Sequence, residues 1–208
     1  MTDRGIPVTS PDELEAIVGT PEKRVAEKSR DRLHAVDREW LAAASLAFVA
    51  TADEHGRLDV SPKGDPAGFA LVLDDTTIAI PERPGNRRAD GFRNILRNPH
   101  VGLIFVIPGR GDTLRVNGRA TIVRDAPFLD DMVVKRHRPA LALVIDIDEV
   151  FFHCSKAFLR SSAWQPETWQ PDSVRRRALI AKAIEQPEAE VAALDEYYGP
   201  SYAERIYR

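Results

Sequence analysis

The sequence predicts a mainly β domain with flanking helices, an α+β chain built around a small barrel of roughly six strands. Three observations predict it. From Leu46 onward, short apolar or alternating segments follow one another across turn-rich links. Amphipathic, helix-like stretches sit at both chain ends. The 208 residues, 43% of them hydrophobic, suffice for a core without staples. One domain is expected over 1–208, with a helical extension over 1–45, a barrel core over 46–154 and C-terminal helices over 155–208.

The elements follow in order. Ser10-Pro11-Asp12-Glu13 reads as an N-cap, a proline at the first helical position and an acidic third position, with Gly19 placed to stop the helix. Thr20-Pro21-Glu22 repeats the start signal. A third helix around Val36 to Ala44 places Val36, Trp40 and Ala44 on one side. "LAFVATA" (46–52) is apolar on both faces, as in a buried strand. "RLDVSPK" alternates, with Leu58 and Val60 on one face and Arg57, Asp59, Ser61 and Lys63 on the other. "FALVLDD" and "TIAIP" follow, and "VGLIFVIPG" (101–109) is another buried strand. In "DTLRVNGRATIVRD" (112–125), Leu114, Val116 and Ile122 share one parity, while Arg115, Asn117, Arg119 and Thr121 share the other. "LALVIDIDEVFFHC" (141–154) completes the set. Short helices are expected at "RADGFRNILRN" (88–98), with Phe92, Ile95 and Leu96 on one face, and at "APFLDDMVV". The last two helices start at Ser173 and Pro187.

A net charge of -3 and a pI near 6.0 lack the basic footprint of a nucleic-acid binder. The single cysteine, Cys154, cannot form an internal disulfide, which points to a reducing cytoplasm. The first residues lack the apolar core of a signal peptide, and no apolar run nears the ~18 residues of a membrane span. No membrane partner and a cytoplasmic location are therefore expected. The five histidines lack metal-ligand spacing, so no metal site is expected. Nucleophile-elbow, P-loop and dinucleotide-binding signatures do not occur.

Three polar groups interrupt the apolar β grammar. In "DVSPKGDPAGF" (59–69), Lys63 stands between two prolines, beside a glycine and a hydroxyl. Such a lysine can hold a phosphate, or it can be a solvated lysine in a surface turn. Gly85-Asn86-Arg87-Arg88 precedes the expected helix at 88–98, where free N–H groups and two guanidiniums would suit an anion. The plain alternative is a solvated basic loop. If Ser155 caps a helix, Lys156, Arg160 and Trp164 are spaced i, i+4, i+8. They would then form a stripe of two cations and a large aromatic. That stripe suits a flat heterocycle, or a solvated face with Trp164 tucked inward.

The ordered stretches "LAFVAT", "DVSPKGDPAGF", "IAIPERPGNRRADGFRNILRNPHVGLIF", "LRVNGRA" and "FFHCSKAFLRSSAW" resemble the pyridoxamine 5'-phosphate oxidase-like family of FMN-binding split barrels. More narrowly, they are similar to a bacterial branch of probable FMN-dependent enzymes. The resemblance spans roughly residues 30 to 170. It implies a six-stranded split β-barrel, a homodimer, and FMN in clefts between the subunits. It further implies that Lys63, Asn86 and Arg88, helped by Arg87, hold the FMN phosphate. Ser61 and Pro62 would run beside the ring. Arg115 and Asn117 would face the cleft, and Lys156, Arg160 and Trp164 would approach the flavin. The implied activity is an FMN-dependent oxidoreductase passing hydride or electrons to a small molecule, with NADH or NADPH as candidate donor. The alternative is a non-catalytic binding or sensor protein for flavin, deazaflavin or haem. The C-terminal "GPSYAERIYR" does not match the arginine and histidine with which the true pyridoxamine phosphate oxidases grip their vitamin substrate. The substrate therefore stays open, and no catalytic residue is assigned.

Overall fold

The structure is a computed structural model that describes residues 4–207. The first three residues of the expected 1–45 extension, and Arg208, lie outside the described residues.

Helices α1 (Pro11–Val18), α2 (Lys23–Ala26) and α3 (Ala35–Ala43) open the chain. The Ser10 hydroxyl accepts from the Glu13 N–H at 3.1 Å, and Gly19 closes α1 at φ 83°. Such a cap contributes about 1 kcal/mol. In α3 the buried residues are Asp37, Trp40 and Leu41, with Ala44 just beyond, whereas Val36 is exposed. Trp40 and Ala44 thus lie on the buried side as expected, with Asp37 there in place of Val36. The cause is Asp37, whose carboxylate accepts from the His34 N–H (2.8 Å) and from both Arg30 terminal nitrogens (2.5 and 3.0 Å). Turning that carboxylate inward turns Val36 outward. Arg30 in turn exchanges two backbone hydrogen bonds with Val150 (3.1 and 2.7 Å), which fastens the extension to the sheet.

Seven strands follow: β1 (Leu46–Ala52), β2 (Leu58–Gly64), β3 (Leu71–Val72), β4 (Thr77–Pro81), β5 (His100–Val106), β6 (Thr113–Val123) and β7 (Ala142–His153). They form one antiparallel sheet in the order β2-β1-β5-β6-β7-β4-β3. The mainly β architecture with flanking helices is present, but the expected six-stranded split barrel is not: the sheet is unclosed. Among the described residues there are seven strands, one of only two residues, and β2 forms no ladder with β3 or β4.

Two prolines explain the open seam. The Asp65 N–H donates to Ser45 O, so strand alternation turns the Pro62 nitrogen away from β1, toward the free edge. The Glu82 N–H donates to Leu141 O, so the Pro81 nitrogen likewise faces away from β7, past the end of β3. Each lip of the seam lacks a donor where a ladder would need one.

One face of the curled sheet is the core. Phe105, Leu114, Val116, Ile145 and Val150 are fully buried there together with Ile78 and Leu41. Burial of a side chain the size of Phe105 contributes roughly 2–3 kcal/mol. At Gly118 the β6–β7 register shifts, leaving Asp148 as the extra residue. A methyl group at Gly118 would stand 2.1 Å from Asp146 O, so only glycine fits this bulge.

The remaining helices are α4 (Asp90–Ile95), α5 (Lys156–Arg160), α6 (Arg177–Ile184) and α7 (Val191–Tyr197). The two C-terminal helices start later than Ser173 and Pro187. "APFLDDMVV" gives a single 3-10 turn, Pro127–Asp130. Ala178, Ala181 and Leu194 form a small hydrophobic cluster between α6 and α7. Among the described residues, no helix is long and apolar enough to cross a membrane.

Candidate functional site

Strand alternation carries Ser61 and Lys63 to the core-facing side of β2, but β2 is the sheet edge, so they look into the seam rather than into apolar core. Opposite them, β4 ends at Pro81 and the chain runs on through Glu82, Arg83, Pro84, Gly85 and Asn86. Between the two lips lies a cavity of about 360 Å³ lined by Ser61, Pro62, Lys63, Asp65, Glu82 and Asn86, with Phe69 at its base. A second cavity of about 350 Å³ adjoins it. Ser61, Lys63, Glu82 and Asn86 line both, and Asp59, Arg88 and Phe92 line the second. Together they match the dimensions of a small-molecule site.

The electrostatics are balanced rather than simply positive. Lys63 Nζ lies 2.5 Å from Glu82 Oε2 and 5.2 Å from the centre of the Phe92 ring. Arg88 Nε lies 2.7 Å from Asp90 Oδ2. The Lys63 side chain is only 19% exposed, that of Arg88 75%. The first pair therefore sits in a medium where charge matters, and the second is well screened. Arg83 Nε reaches Asp65 Oδ2 at 2.5 Å, so two ion pairs bridge the seam that backbone hydrogen bonds leave open.

The segment before α4 is conformationally unusual. Arg87 (φ 61°) and Ala89 (φ 53°) both adopt left-handed backbone, which is costly without glycine. The Arg88 N–H donates to the Asn86 side chain at 3.0 Å, which helps hold this turn. The turn places Asn86 on the lining of both cavities and Arg88, largely exposed, at the second. Arg87 lines an adjoining hollow that shares Glu82 and Asn86 with both cavities and is bounded elsewhere by His137, Arg138 and Leu141. The close neighbour of Gly64 is the Ser45 carbonyl, 3.4 Å from where a methyl group would sit.

Of the residues singled out in the sequence, Ser61, Pro62, Lys63, Asn86 and Arg88 come together. Arg115 and Asn117 do not line this cavity. They lie on the outer face of the sheet, where Pro62, Phe48, Ile104 and Arg115 form one register row and Val60, Ala50, Gly102 and Asn117 the next. Arg115 stacks over Phe151 at 5.1 Å, and its buried Nε has no hydrogen-bond partner among the described residues. Asn117 donates to Glu149 at 2.6 Å, and Ser29 donates to the other Glu149 oxygen at 2.6 Å. These two donors and the Arg115 charge hold the Glu149 carboxyl below its usual range against the opposing effect of burial.

The Lys156–Arg160–Trp164 stripe does not form. α5 has five residues, and Ser162 turns left-handed at φ 52°, so Trp164 lies beyond the helix. Trp164 stacks on Phe158, with ring centres 5.6 Å apart, and donates to Arg110 O at 2.7 Å. Lys156 and Arg160 are exposed.

None of Glu82, Asp65, Arg83, Asp59 and Phe92 was assigned to the site from the sequence; Asp59 and Phe92 entered only as members of a strand face and a helix face. The only cue for Glu82 was a carboxylate directly after a strand, in "PERPGNRR", opposite a lone cation.

The family described as pyridoxamine 5'-phosphate oxidase matches residues 33–154, more than half of the chain. No curated protein matches. Among solved structures, HupZ from Group A Streptococcus is 22% identical, with 58% of this chain and 94% of that chain covered and a TM-score of 0.47. A putative pyridoxamine 5'-phosphate oxidase from Lactobacillus delbrueckii is 24% identical, covering 59% and 95%, with a TM-score of 0.46. An FMN-binding protein from Syntrophomonas wolfei is 14% identical, covering 57% and 89%, with a TM-score of 0.42.

Proposed function

The chain belongs to the pyridoxamine 5'-phosphate oxidase-like family, and on that premise we propose that it is an FMN-dependent oxidoreductase acting on a small molecule. The observation that carries this reading is the convergence of Ser61, Lys63, Asn86 and Arg88 on adjoining cavities in the seam. An ammonium, a guanidinium, an amide and a hydroxyl are the donor set that a phosphate monoester needs.

In this reading Lys63, Asn86 and Arg88 would hold the phosphate, with Arg87 as a helper from the adjoining hollow. An arriving phosphate competes with Glu82 for Lys63. Ser61 and Pro62 flank the ring, and Phe69 and Phe92 shield it from water. Bound flavin supplies hydride or electron transfer that no side chain here can perform alone.

The working unit is a homodimer. The outer sheet face exposes Leu58 and Val60 (79% and 61% exposed) next to Phe48 and Ile104, an apolar area larger than isolated surface residues account for. The same face carries Arg115 and Asn117, so a second copy seated there brings them beside its own seam. Lys156, Arg160 and Trp164 approach the ring only across this interface.

The test is the absorbance spectrum of freshly purified protein, before and after a reduced nicotinamide. Flavin bands that bleach with NADH or NADPH and return with an acceptor are expected. Bands that never bleach favour a carrier or sensor. A colourless protein that takes up no FMN removes the proposal, and sedimentation as a monomer at micromolar concentration removes the intersubunit cleft.

A further inference from the structure

Near the chain end, Tyr207 donates its phenolic O–H to Oδ1 of Asp65, 142 residues away in sequence. The other Asp65 oxygen accepts from Arg83 Nε at 2.5 Å, and the Asp65 side chain is 1% exposed. Arg83 also donates to Met132 O at 2.7 Å. Its guanidinium lies over the Tyr207 ring, 5.7 Å from the centre, and the Lys135 ammonium stands 5.5 Å from the same centre. Asp65 belongs to the β2 lip of the seam and Arg83 to the β4 lip. The phenol thus completes a clamp that joins the two lips.

The residues before Tyr207 add to the contact. Arg205 and Ile206, with Tyr197 and Tyr202, line a hollow that shares Pro84 and Gly85 with the Lys63 cavity. Arg205 is fixed there by donating to Tyr197 O at 2.6 Å and by stacking on the Tyr197 ring at 4.8 Å. The segment 82–86 is therefore backed by the C-terminal segment where it borders that hollow.

We propose that the C-terminal segment is a strap across the seam and that Tyr207 is a positioning residue: through Asp65 and Arg83 it fixes segment 82–86, which presents Glu82 and Asn86 to the Lys63 cavity. Without the phenol, a buried carboxylate oxygen loses its donor, and Arg83 keeps only part of its anchorage. The Asp65 carboxylate, with burial, also holds the Tyr207 phenol above its ordinary range, so it remains a donor at neutral pH. The strap acts whichever anion occupies the cavity, although its effect on FMN rests on the function proposed above.

The experiment compares the full chain with Tyr207→Phe, which keeps the ring, and Tyr207→Ala, which removes it. Amide hydrogen exchange is followed in ligand-free protein, and FMN binding by fluorescence titration. In both variants, exchange at Arg83, Gly85 and Asn86 is expected to rise about tenfold or more while β5 and β6 stay protected. FMN affinity is expected to fall about three- to tenfold. Unchanged exchange at 83–86 in both variants overturns the strap. A uniform rise across the sheet makes Tyr207 a general stabiliser and overturns its positioning role. Local loosening with unchanged FMN affinity, in a protein that binds FMN, overturns it as well. If the unmodified chain binds no FMN, the functional proposal fails, and the exchange pattern alone decides the strap.

Discussion

Lys63 and Glu82 form an ion pair across the seam, N–O 2.5 Å, so the cation at the centre of the cavity already holds a carboxylate from the opposite lip. Glu82 acts as an internal competitor for any anion. Glu82→Gln keeps the shape and removes the charge. FMN and inorganic phosphate should then bind about tenfold more tightly, a gain of about 1.4 kcal/mol. Titration of both ligands checks this, and unchanged or weaker binding would show that Lys63 does not receive the anion.

Arg88 separates binding from stability. Its side chain is 75% exposed, and its pair with Asp90 lies at the surface. Arg88→Ala should therefore shift folding stability by no more than about 0.5 kcal/mol. FMN affinity should drop about tenfold through loss of a charge-assisted contact. Parallel thermal melts and FMN titrations read the two effects, and intact affinity would move the phosphate elsewhere.

Gly118 tests the bulge. A methyl group there meets backbone, Asp146 O at 2.1 Å, with no flexible side chain able to yield. Gly118→Ala should cost about 3 kcal/mol or prevent folding, at the upper end of overpacking penalties. Denaturant unfolding measures it. A loss under about 1 kcal/mol would mean that the β6–β7 register can relax.

His153 sets a pH dependence. Although the residue is exposed, partial desolvation of its ring, then the charges of Lys28 and Arg115, hold its imidazole below the ordinary histidine value. The folded chain thus binds this proton less tightly than the unfolded chain. The contribution to stability is complete above pH ~6.5 and is lost as pH falls through the lowered folded value. His153→Asn should flatten the decline of the thermal midpoint between about pH 7 and 5. Superimposable profiles for the two proteins would assign that decline to other groups.

Much of the fold was legible because local rules and tertiary context agree. Ser10 and Gly19 bound α1 as their chemistry requires, and the parity of Leu114 and Val116 against Arg115 and Asn117 survives as buried against outward-facing. Lys63 and Arg88 were legible as cations among backbone-special residues. The counter-ion of Lys63 was not, because Glu82 acquires meaning only once the β2 and β4 lips are known to face each other, and the same holds for the Arg83–Asp65 pair beside it. Tyr207 was invisible for the same reason, being 142 residues from its partner. The Trp164 stripe failed on a single backbone angle, the left-handed Ser162, for which a serine gives no warning. The open seam between the β2 and β4 lips rests on Pro62 and Pro81, whose direction of facing depends on strand register.

The proline at the β2 rim also bears on how copies of the chain meet. A strand border missing one N–H, set opposite a terminal strand only two residues long, is a poor template for another molecule's backbone. Sheet extension from one molecule to the next is thereby discouraged, which leaves stacking of side chains as the route open to the homodimer proposed above.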